Sequence, residues 1–491
     1  MLRILGSPRS LCTGVTRREF LLASSSAAVG LGLSDLHLNA TSDPSDRSRG
    51  RAKNVILLYL FGGPSHIDML DMKPDAPAEV RGGFRPIRSR LPGCDVCEEL
   101  PHLAQVMDRV TVVRSLNHPW NFHGMMWATT GIPEGSIPIE ESQRNAAHWP
   151  YVGSVFDYFE KQRLGPKPAG SVPDNIILPW MLSSRRAATH YARPHGAFLG
   201  NSYDPLWTEF EGTATRTVPR WHAAPLEDVA DPHLGITAKG RFQLAPEARL
   251  SGDVTLDRLN QRRSLLEQFD TARLQLDMGS AGRLYEHKRA LAHSLLNSPK
   301  LPMALDIERE PARLRESYGM TLFGQGCLQA RRLVEAGSRF VTVIWDEFGQ
   351  LNTGWDTHVG HRDRMKNELL PGLDRAFAAL IVDLETRGML DDTLVCVMSE
   401  MGRTPKLDGD GRGHWGRAYT NFFAGGGVKR GCVIGKTDKL GAMPVERPVS
   451  AKDVLATIYH LVGYDPDTTV IDRQNKPLPL VHGDVIPEML A

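Results

Sequence analysis

This 491-residue sequence predicts an α/β fold, with a doubly wound, mostly parallel sheet flanked by helices and a large mid-chain insertion. Continuous apolar runs, typical of strands buried on both faces, occur at residues 55–61, 110–113, 340–345 and 393–398. Between the last two runs, apolar residues recur every three or four positions from Met365 to Leu384, which predicts a long amphipathic helix. Strands that alternate with helices in this way are typical of a doubly wound sheet.

Two further segments complete the predicted architecture. Ser450 and Asp453 form a capping box ahead of an apolar helical pattern that ends before Gly463. Residues 132–245 are rich in Pro, Gly and aromatic residues and show little periodicity, and the next segment is charged and helical. We therefore interpret 132–335 as an insertion that covers one end of the sheet as a lid.

The composition is that of an ordinary globular protein. Lys and Arg number 58 against 57 Asp and Glu, which gives a net charge of +1, and hydrophobic residues make up 41% of the chain. These values exclude a disordered, collagen-like or coiled-coil protein. The balanced charge disfavours nucleic acid as a partner, and six cysteines are too few for a disulfide scaffold in a chain of this length.

The first forty residues have the features of an export signal. Arg17 and Arg18 precede an apolar run of about 13 residues, which is shorter than the roughly 20 needed to cross a bilayer as a helix. Paired arginines followed by Phe-Leu are typical of the twin-arginine route, although a surface helix with a chance arginine pair is the alternative. We expect a signal peptide at 1–40, a polar linker at 41–53 and an α/β domain at 54–491. The translocase of that route is then a partner during export to the periplasm or beyond, and no later run is long enough for a stable membrane span.

Polar side chains follow each of the four predicted strands. In open α/β sheets, ligands bind beyond the carboxyl ends of the strands. The side chains found there are His66 and Asp68, then His123, then Asp356 and His358, and finally Glu400, Arg403 and His414. Singly, such residues are more often ordinary loop, capping or ion-pair residues than ligands. Their occurrence at four strand ends predicts a divalent metal site, because imidazole and carboxylate suit zinc, manganese or iron. His361 lies five residues beyond Asp356, and we expect it to point elsewhere on a helix.

Six motifs together resemble one known family. They are the twin-arginine start, GGPSHID at 62–68, Thr-Gly at 130–131, WDTH at 355–358, GRTP at 402–405 and GHW at 413–415. The sequence carrying them is identified as a member of the DUF1501 family, a group of exported bacterial proteins placed in the alkaline phosphatase/sulfatase superfamily. The resemblance implies an alkaline phosphatase-like fold and one or two divalent ions (zinc, manganese, iron or calcium).

The resemblance also implies roles for individual residues. Asp356, His358 and His414 resemble the ligands of one metal ion, and Glu400 stands where relatives carry an aspartate ligand. On the first strand, His66 or Asp68 would replace the usual aspartate. Arg403 and His123 would stabilise charge on the reacting ester.

The usual nucleophile of the superfamily has no counterpart here, because residues 117–128 contain no Ser, Thr or Cys. Ser65 or a metal-activated hydroxide would take its place, since a divalent metal lowers the pKa of its bound water to about 7. The sequence thus predicts an exported, metal-dependent hydrolase of sulfatase or phosphatase type, acting on a small-molecule or polysaccharide ester of an anionic group. The alternative is a catalytically silent fold that binds carbohydrate or a cell-surface partner. A third hypothesis is a redox protein, but the sequence contains no cofactor-binding motif that supports it.

Overall fold

A computed structural model describes most of the predicted α/β domain. The described residues are 50–131, 136–145, 147–165, 167–168, 170–185, 190–219, 228–245, 300–348, 354–472 and 475–491. The predicted signal peptide and the linker up to residue 49 lie outside them. Among the helices in the described ranges, none is long and apolar enough to cross a membrane.

Nine strands form the central sheet within the described ranges. In chain order they are β1 (Asn54–Leu60), β2 (Val110–Leu116), β3 (Asn175–Leu178), β4 (Leu206–Glu211), β5 (Arg241–Leu244), β6 (Phe340–Trp345), β7 (Thr393–Met398), β8 (Tyr419–Ala424) and β9 (Cys432–Ile434). Their order across the sheet is β9-β2-β8-β7-β1-β6-β3-β4-β5. Five of the eight neighbouring pairs are parallel and three are antiparallel. The predicted mostly parallel sheet is therefore confirmed.

The centre of the sheet is buried on both faces. β1 lies between β6 and β7 and pairs in parallel with each, so that Leu57 lies opposite Thr342 on one side and Cys396 on the other. Alternate residues of β1 enter two separate hydrophobic cores, with Leu58 in one and Leu57 in the other. Burial on both faces explains why these strands consist almost entirely of apolar residues. Because the three strands are parallel, the loops that leave their carboxyl ends meet at one edge.

Helices cover both faces of the sheet. The larger ones are α1 (Met125–Thr130), α2 (Val152–Leu164), α3 (Leu322–Glu335), α4 (Leu370–Thr386) and α5 (Ala451–Leu461). Apolar residues of α3 and α4 join one core, and those of α1, α2 and α5 join the other. The predicted capping box of α5 is confirmed, since Ser450 and Asp453 each accept the backbone N–H of the other. The long helix predicted from Met365 begins with one π-helical turn, Met365–Leu369, before α4.

The region predicted as an insertion contributes three strands, β3, β4 and β5, to the same sheet. β3 has four residues and is followed at once by Pro179, so its apolar run is too short to stand out from the loops around it. Residues 246–299 lie outside the described ranges, and the prediction of a lid stays a prediction.

Shorter elements connect these layers. Two-stranded ribbons pair Pro86–Ile87 with Val96–Cys97, Thr217–Pro219 with Asp228–Ala230, Gly402–Arg403 with His414–Trp415, Lys436–Thr437 with Pro444–Glu446, and Thr469–Ile471 with Pro477–Pro479. Short helices lie at Ala78–Arg81, Pro101–Ala104, Ile137–Glu140, Lys300–Leu305, Ala312–Ser317 and His361–Arg364. The ribbon at Gly402–Arg403 matters most here, because it places Arg403 opposite His414.

Candidate metal centre

The loops that follow β1, β6 and β7 meet at the carboxyl edge of the sheet. The backbone N–H of Trp355 donates to the carbonyl of Phe61 over 3.0 Å, which holds the loop after β6 against the end of β1. Gly62 permits this approach, since its φ is +111° and a Cβ there would lie 2.5 Å from the backbone nitrogen of Asp356. The carboxylate of Asp356 thus lies at the meeting point of the three loops.

Three histidines surround the Asp356 carboxylate. The Nε2 atom of His123 lies 3.2 Å from Asp356 Oδ2, and those of His358 and His414 each lie 3.2 Å from Oδ1. Ligand atoms of His123, Asp356 and His414 all lie within 4.8 Å of one another, and theirs is the one group of this kind among the described residues. Asp356 is buried, whereas the side chains of His358 and His414 are 35% and 22% exposed, so the cluster opens towards solvent on their side.

In two of these imidazoles, the Nδ1 atom, which is the ring nitrogen farther from Asp356, donates a hydrogen bond to an oxygen acceptor. His414 Nδ1 donates to the carbonyl of Asn121 over 3.0 Å, and His123 Nδ1 donates to Glu400 Oε1 over 2.9 Å. A neutral imidazole that donates through Nδ1 presents a bare lone pair at Nε2. Both Nε2 lone pairs therefore face the carboxylate of Asp356, an arrangement that requires a cation or a proton between them.

The same conclusion follows from unsatisfied buried atoms. His123 Nε2 and Asp356 Oδ2 are both buried and have no hydrogen-bond partner within the described ranges. Buried polar atoms are almost always paired, and these two face each other at 3.2 Å, so either a proton on His123 or a bound cation pairs them. Imidazole nitrogen and carboxylate oxygen suit a divalent transition metal, and the residues present fit the ion that the resemblance implies.

The electrostatics of the cluster also favour positive charge. Burial by itself lowers the pKa of His123, but the carboxylates of Asp356 and Glu400 outweigh it and raise that pKa to about 9. Burial raises the pKa of Asp356, and the guanidinium of Arg403 and the imidazole of His123 outweigh it, so that this pKa lies well below its usual range. Burial lowers the pKa of His414, which keeps its ring neutral and available as a ligand.

Glu400, predicted as a metal ligand, lies behind His123. Its Oε1 accepts the backbone N–H of Gly62 over 2.8 Å as well as the N–H of His123, and its Oε2 accepts the hydroxyl of Ser399 over 3.1 Å. A carboxylate that holds the outer nitrogen of a metal-binding histidine fixes the ring and increases its basicity. Glu400 therefore contacts the ligand His123 and is not itself one of the three grouped ligand residues.

Arg403, predicted as a catalytic residue, is fully buried. Its Nη2 lies 2.5 Å from Asp356 Oδ1, and its Nε donates to the carbonyl of Gly63 over 2.8 Å. It also donates to the carbonyls of Gly62 and Arg412. These contacts direct the guanidinium to Asp356 and the surrounding backbone, where it holds that carboxylate in its charged form.

Three predicted site residues, Ser65, His66 and Asp68, are placed elsewhere. Asp68 Oδ2 accepts the hydroxyl of Ser65 over 2.6 Å and also binds Arg412, so this serine is buried and already paired. His66 donates through Nε2 to the carbonyl of Gly441 over 2.7 Å, and burial lowers its pKa. None of the three belongs to the group around Asp356.

Comparison with known proteins places the chain in a family. The family model described as "Protein of unknown function (DUF1501)" matches residues 52–490. The chain belongs to this family. The predicted membership is thereby confirmed. No curated protein matches this DUF1501 chain.

Several solved structures are similar to the DUF1501 chain. The PsFucS1 sulfatase from Pseudoalteromonas sp. is 13% identical, with a TM-score of 0.35 over 91% of this chain and 73% of the sulfatase. The phosphonate monoester hydrolase SpPMH from Silicibacter pomeroyi is 12% identical, with a TM-score of 0.36 over 88% of this chain and 76% of the hydrolase. The protein Ps i-CgsB is 11% identical, with a TM-score of 0.39 over 84% and 73% of the two chains.

Some residues of the DUF1501 site were not foreseen from its sequence. Asn121 contributes a backbone carbonyl, which no side-chain pattern reveals. His361 points away from the ligand group, as expected, but its contact with Asp68 was not anticipated. Thr357 and His361 are four residues apart, and their contact over 2.7 Å is the kind that such spacing favours at the start of a helix.

The placement of Glu400 in this DUF1501 protein leads to a first prediction. We expect Glu400→Gln to weaken zinc binding by about 10- to 100-fold, because a neutral amide oxygen polarises His123 less than the carboxylate does. Competition titration with a chelator of known affinity measures the effect. Glu310→Gln is the control, since Glu310 pairs with Arg331 and Arg332 of α3 and contacts no residue of the cluster. Equal zinc affinity in wild type and Glu400→Gln would contradict the prediction.

Proposed function

We propose that this protein is an exported, metal-dependent hydrolase that cleaves an ester of an anionic group, of the sulfate or phosphate type. The observation that carries the proposal is the convergence of three ligand residues, since ligand atoms of His123, Asp356 and His414 all lie within 4.8 Å of one another. They belong to a cluster at the carboxyl ends of parallel strands, which is where ligands bind in open α/β sheets.

One divalent ion would be held by His123, Asp356 and His414, with His358 next to them at the opening. When bound, such an ion polarises an ester oxygen and lowers the pKa of water to about 7. The protein's own residues fix the orientation and the charge of the metal-binding side chains. Glu400 and the Asn121 carbonyl keep the imidazoles oriented, and Arg403 keeps Asp356 charged. Substrate would enter from the side of His358, whose ring is partly exposed.

Attack by water, with no covalent enzyme intermediate, is part of the proposal. Residues 117–128, which lead into α1 and include its first four residues, contain no Ser, Thr or Cys. The first turn of α1 is also covered by the carboxyl group of Glu140, whose Oε1 accepts the backbone N–H of Trp127 over 3.1 Å. Ser65 is paired with Asp68 and buried, so its placement lends no support to a serine nucleophile.

The same features favour a second candidate function. A fold that has a metal site but no Ser, Thr or Cys at residues 117–128 would suit a catalytically silent protein that binds carbohydrate or a cell-surface partner. For the hydrolase, the proposed substrate is a small-molecule or polysaccharide ester. In both cases the arginine pair at 17 and 18 supports export through the twin-arginine translocase to the periplasm or beyond.

Metal analysis of the exported protein, followed by an ester screen, tests the proposal. We expect one zinc, manganese, iron or calcium ion per chain, lost in His414→Ala, and hydrolysis of a sulfate or phosphate ester that disappears with the metal. His102→Ala is a control, because His102 pairs with Asp374 away from the cluster. Stoichiometric metal without hydrolysis of any ester would favour the binding protein. Absence of stoichiometric metal from the wild-type protein would refute the metal-dependent hydrolase.

A further inference from the structure

A buried network of five polar side chains lies beside the candidate metal centre. Its members, which we call the Asp68 network, are Ser65, Asp68, Thr357, His361 and Arg412, each at most 2% exposed. The carboxylate of Asp68 is its centre: Oδ2 lies 2.6 Å from the Ser65 hydroxyl, 2.8 Å from His361 Nε2 and 2.8 Å from Arg412 Nε. A fully buried carboxylate that is shared by an imidazole and a guanidinium binds the segments that carry them tightly together.

The segment that contains Thr357 and His361 also carries two residues of the metal cluster, Asp356 and His358. His361 donates to Asp68 through Nε2, and its Nδ1 accepts the hydroxyl of Thr357 over 2.7 Å. Thr357 lies between Asp356 and His358 in the chain. The contact with His361 therefore fixes the backbone from which both of these side chains project.

The second segment carries His414. Arg412 precedes it by two residues and, besides binding Asp68, donates to the carbonyls of Val80 and Thr404 over 2.8 and 3.0 Å. Its backbone N–H donates to the carbonyl of Thr357 over 3.0 Å, which joins the two segments directly. Gly411 packs its Cα against the carbonyl of His358, where a Cβ would collide with that oxygen.

We propose that Asp68 is a positioning residue for the metal centre. Through His361 and Arg412 it sets the separation of the segments that carry His358 and His414, and thereby the affinity and ligand geometry of the bound ion. This inference rests on the metal site of the proposed function, and it does not depend on hydrolysis. Partners one step removed from a metal typically change its affinity by about 10- to 100-fold when mutated.

Replacing Asp68 by asparagine tests the proposal through metal binding. The change keeps the shape and removes the charge that Arg412 and His361 share. We expect zinc affinity to fall by about 10- to 100-fold, and the visible absorption bands of the protein loaded with Co²⁺ to shift as the ligand geometry changes. Asp383→Asn is the matched control. Asp383 is also buried. It accepts the Tyr318 hydroxyl over 2.8 Å and pairs with Arg331, whose Nε lies 2.9 Å away, but it joins α4 to α3.

The control separates positioning from folding. Both variants lose a buried ion pair and should melt at lower temperature, but only Asp68→Asn should lose zinc affinity and alter the cobalt spectrum. Thr357→Val is a milder second variant, which removes one hydroxyl, and we expect a several-fold loss of affinity. The double variant should bind zinc no more weakly than Asp68→Asn alone, because both changes break one network.

Three outcomes are decisive. Wild-type zinc affinity and an unchanged cobalt spectrum in Asp68→Asn or in Thr357→Val would overturn the positioning role. A wild-type protein that binds neither zinc nor cobalt would refute the centre and this inference together. Loss of affinity in Asp68→Asn from a wild type that binds zinc and hydrolyses no ester would refute the proposed function alone and support the positioning role.

Discussion

Asp356→Asn is expected to abolish stoichiometric metal binding and to lower the free energy of unfolding by about 3–5 kcal/mol. The carboxylate of Asp356 is the group that three histidines share, and no other carboxylate among the described residues joins His123 and His414. An amide in its place presents N–H groups to one side of the cluster, where a cation would bind. The loss of stability arises from Arg403, which is fully buried and would lose its counter-charge.

Two measurements distinguish the effects of Asp356→Asn. Elemental analysis gives the metal content per chain, and denaturant unfolding in the presence of a chelator gives the stability of the metal-free proteins. Asp374→Asn is the control, because Asp374 is also buried and also accepts from an imidazole, that of His102 over 2.7 Å. The Asp374→Asn variant should be less stable than wild type and should still bind its metal ion. One ion per chain in Asp356→Asn, held as tightly as in wild type, would contradict the site.

The sequence predicts the central fold well for a physical reason. β1, β6 and β7 are buried on both faces, so each consists almost entirely of apolar residues and differs clearly from helices and loops. The strands within 132–335 are short and lie towards one side of the sheet. Their burial alternates or ends after four residues, and the pattern resembles that of the surrounding loops.

The candidate site is predicted less completely, because sequence position does not reveal which way a side chain turns. Asp68 and Asp356 both follow a strand end, and the two are equally good ligand candidates on that ground. Their difference comes from Arg412, which is 344 residues from Asp68 and binds its carboxylate. The role of His123 also depends on a residue distant in sequence, since its Nδ1 contacts Glu400 only in the folded chain.

The pH dependence of stability should change markedly when Glu140 is replaced by glutamine. Burial raises the pKa of Glu140 from its ordinary value of 4.5 to about 8, although the backbone N–H groups at the start of α1 partly offset this. Between those two values the folded state keeps a proton that the unfolded chain has lost. Stability therefore falls as pH rises, by about 1.4 kcal/mol per pH unit from this group.

Glu140→Gln removes that slope because glutamine does not titrate. The variant and wild type should be about equally stable near pH 4.5, and the variant should gain with rising pH, up to about 5 kcal/mol at pH 8. Unfolding by denaturant at several pH values measures the difference. Glu141→Gln removes the same charge from an exposed neighbouring site and should leave the wild-type slope unchanged.

The result for Glu140 bears on the chemistry available at α1. A neutral carboxylic acid at the first turn of this helix leaves Glu400 and Asp356 as the carboxylates that contact His123, and Asp356 is also paired with Arg403. If the stability profiles of Glu140→Gln and wild type instead run parallel from pH 5 to pH 8, Glu140 is ionised in the folded protein. The start of α1 would then carry a buried carboxylate, and its charge would repel any anionic ester that approached it.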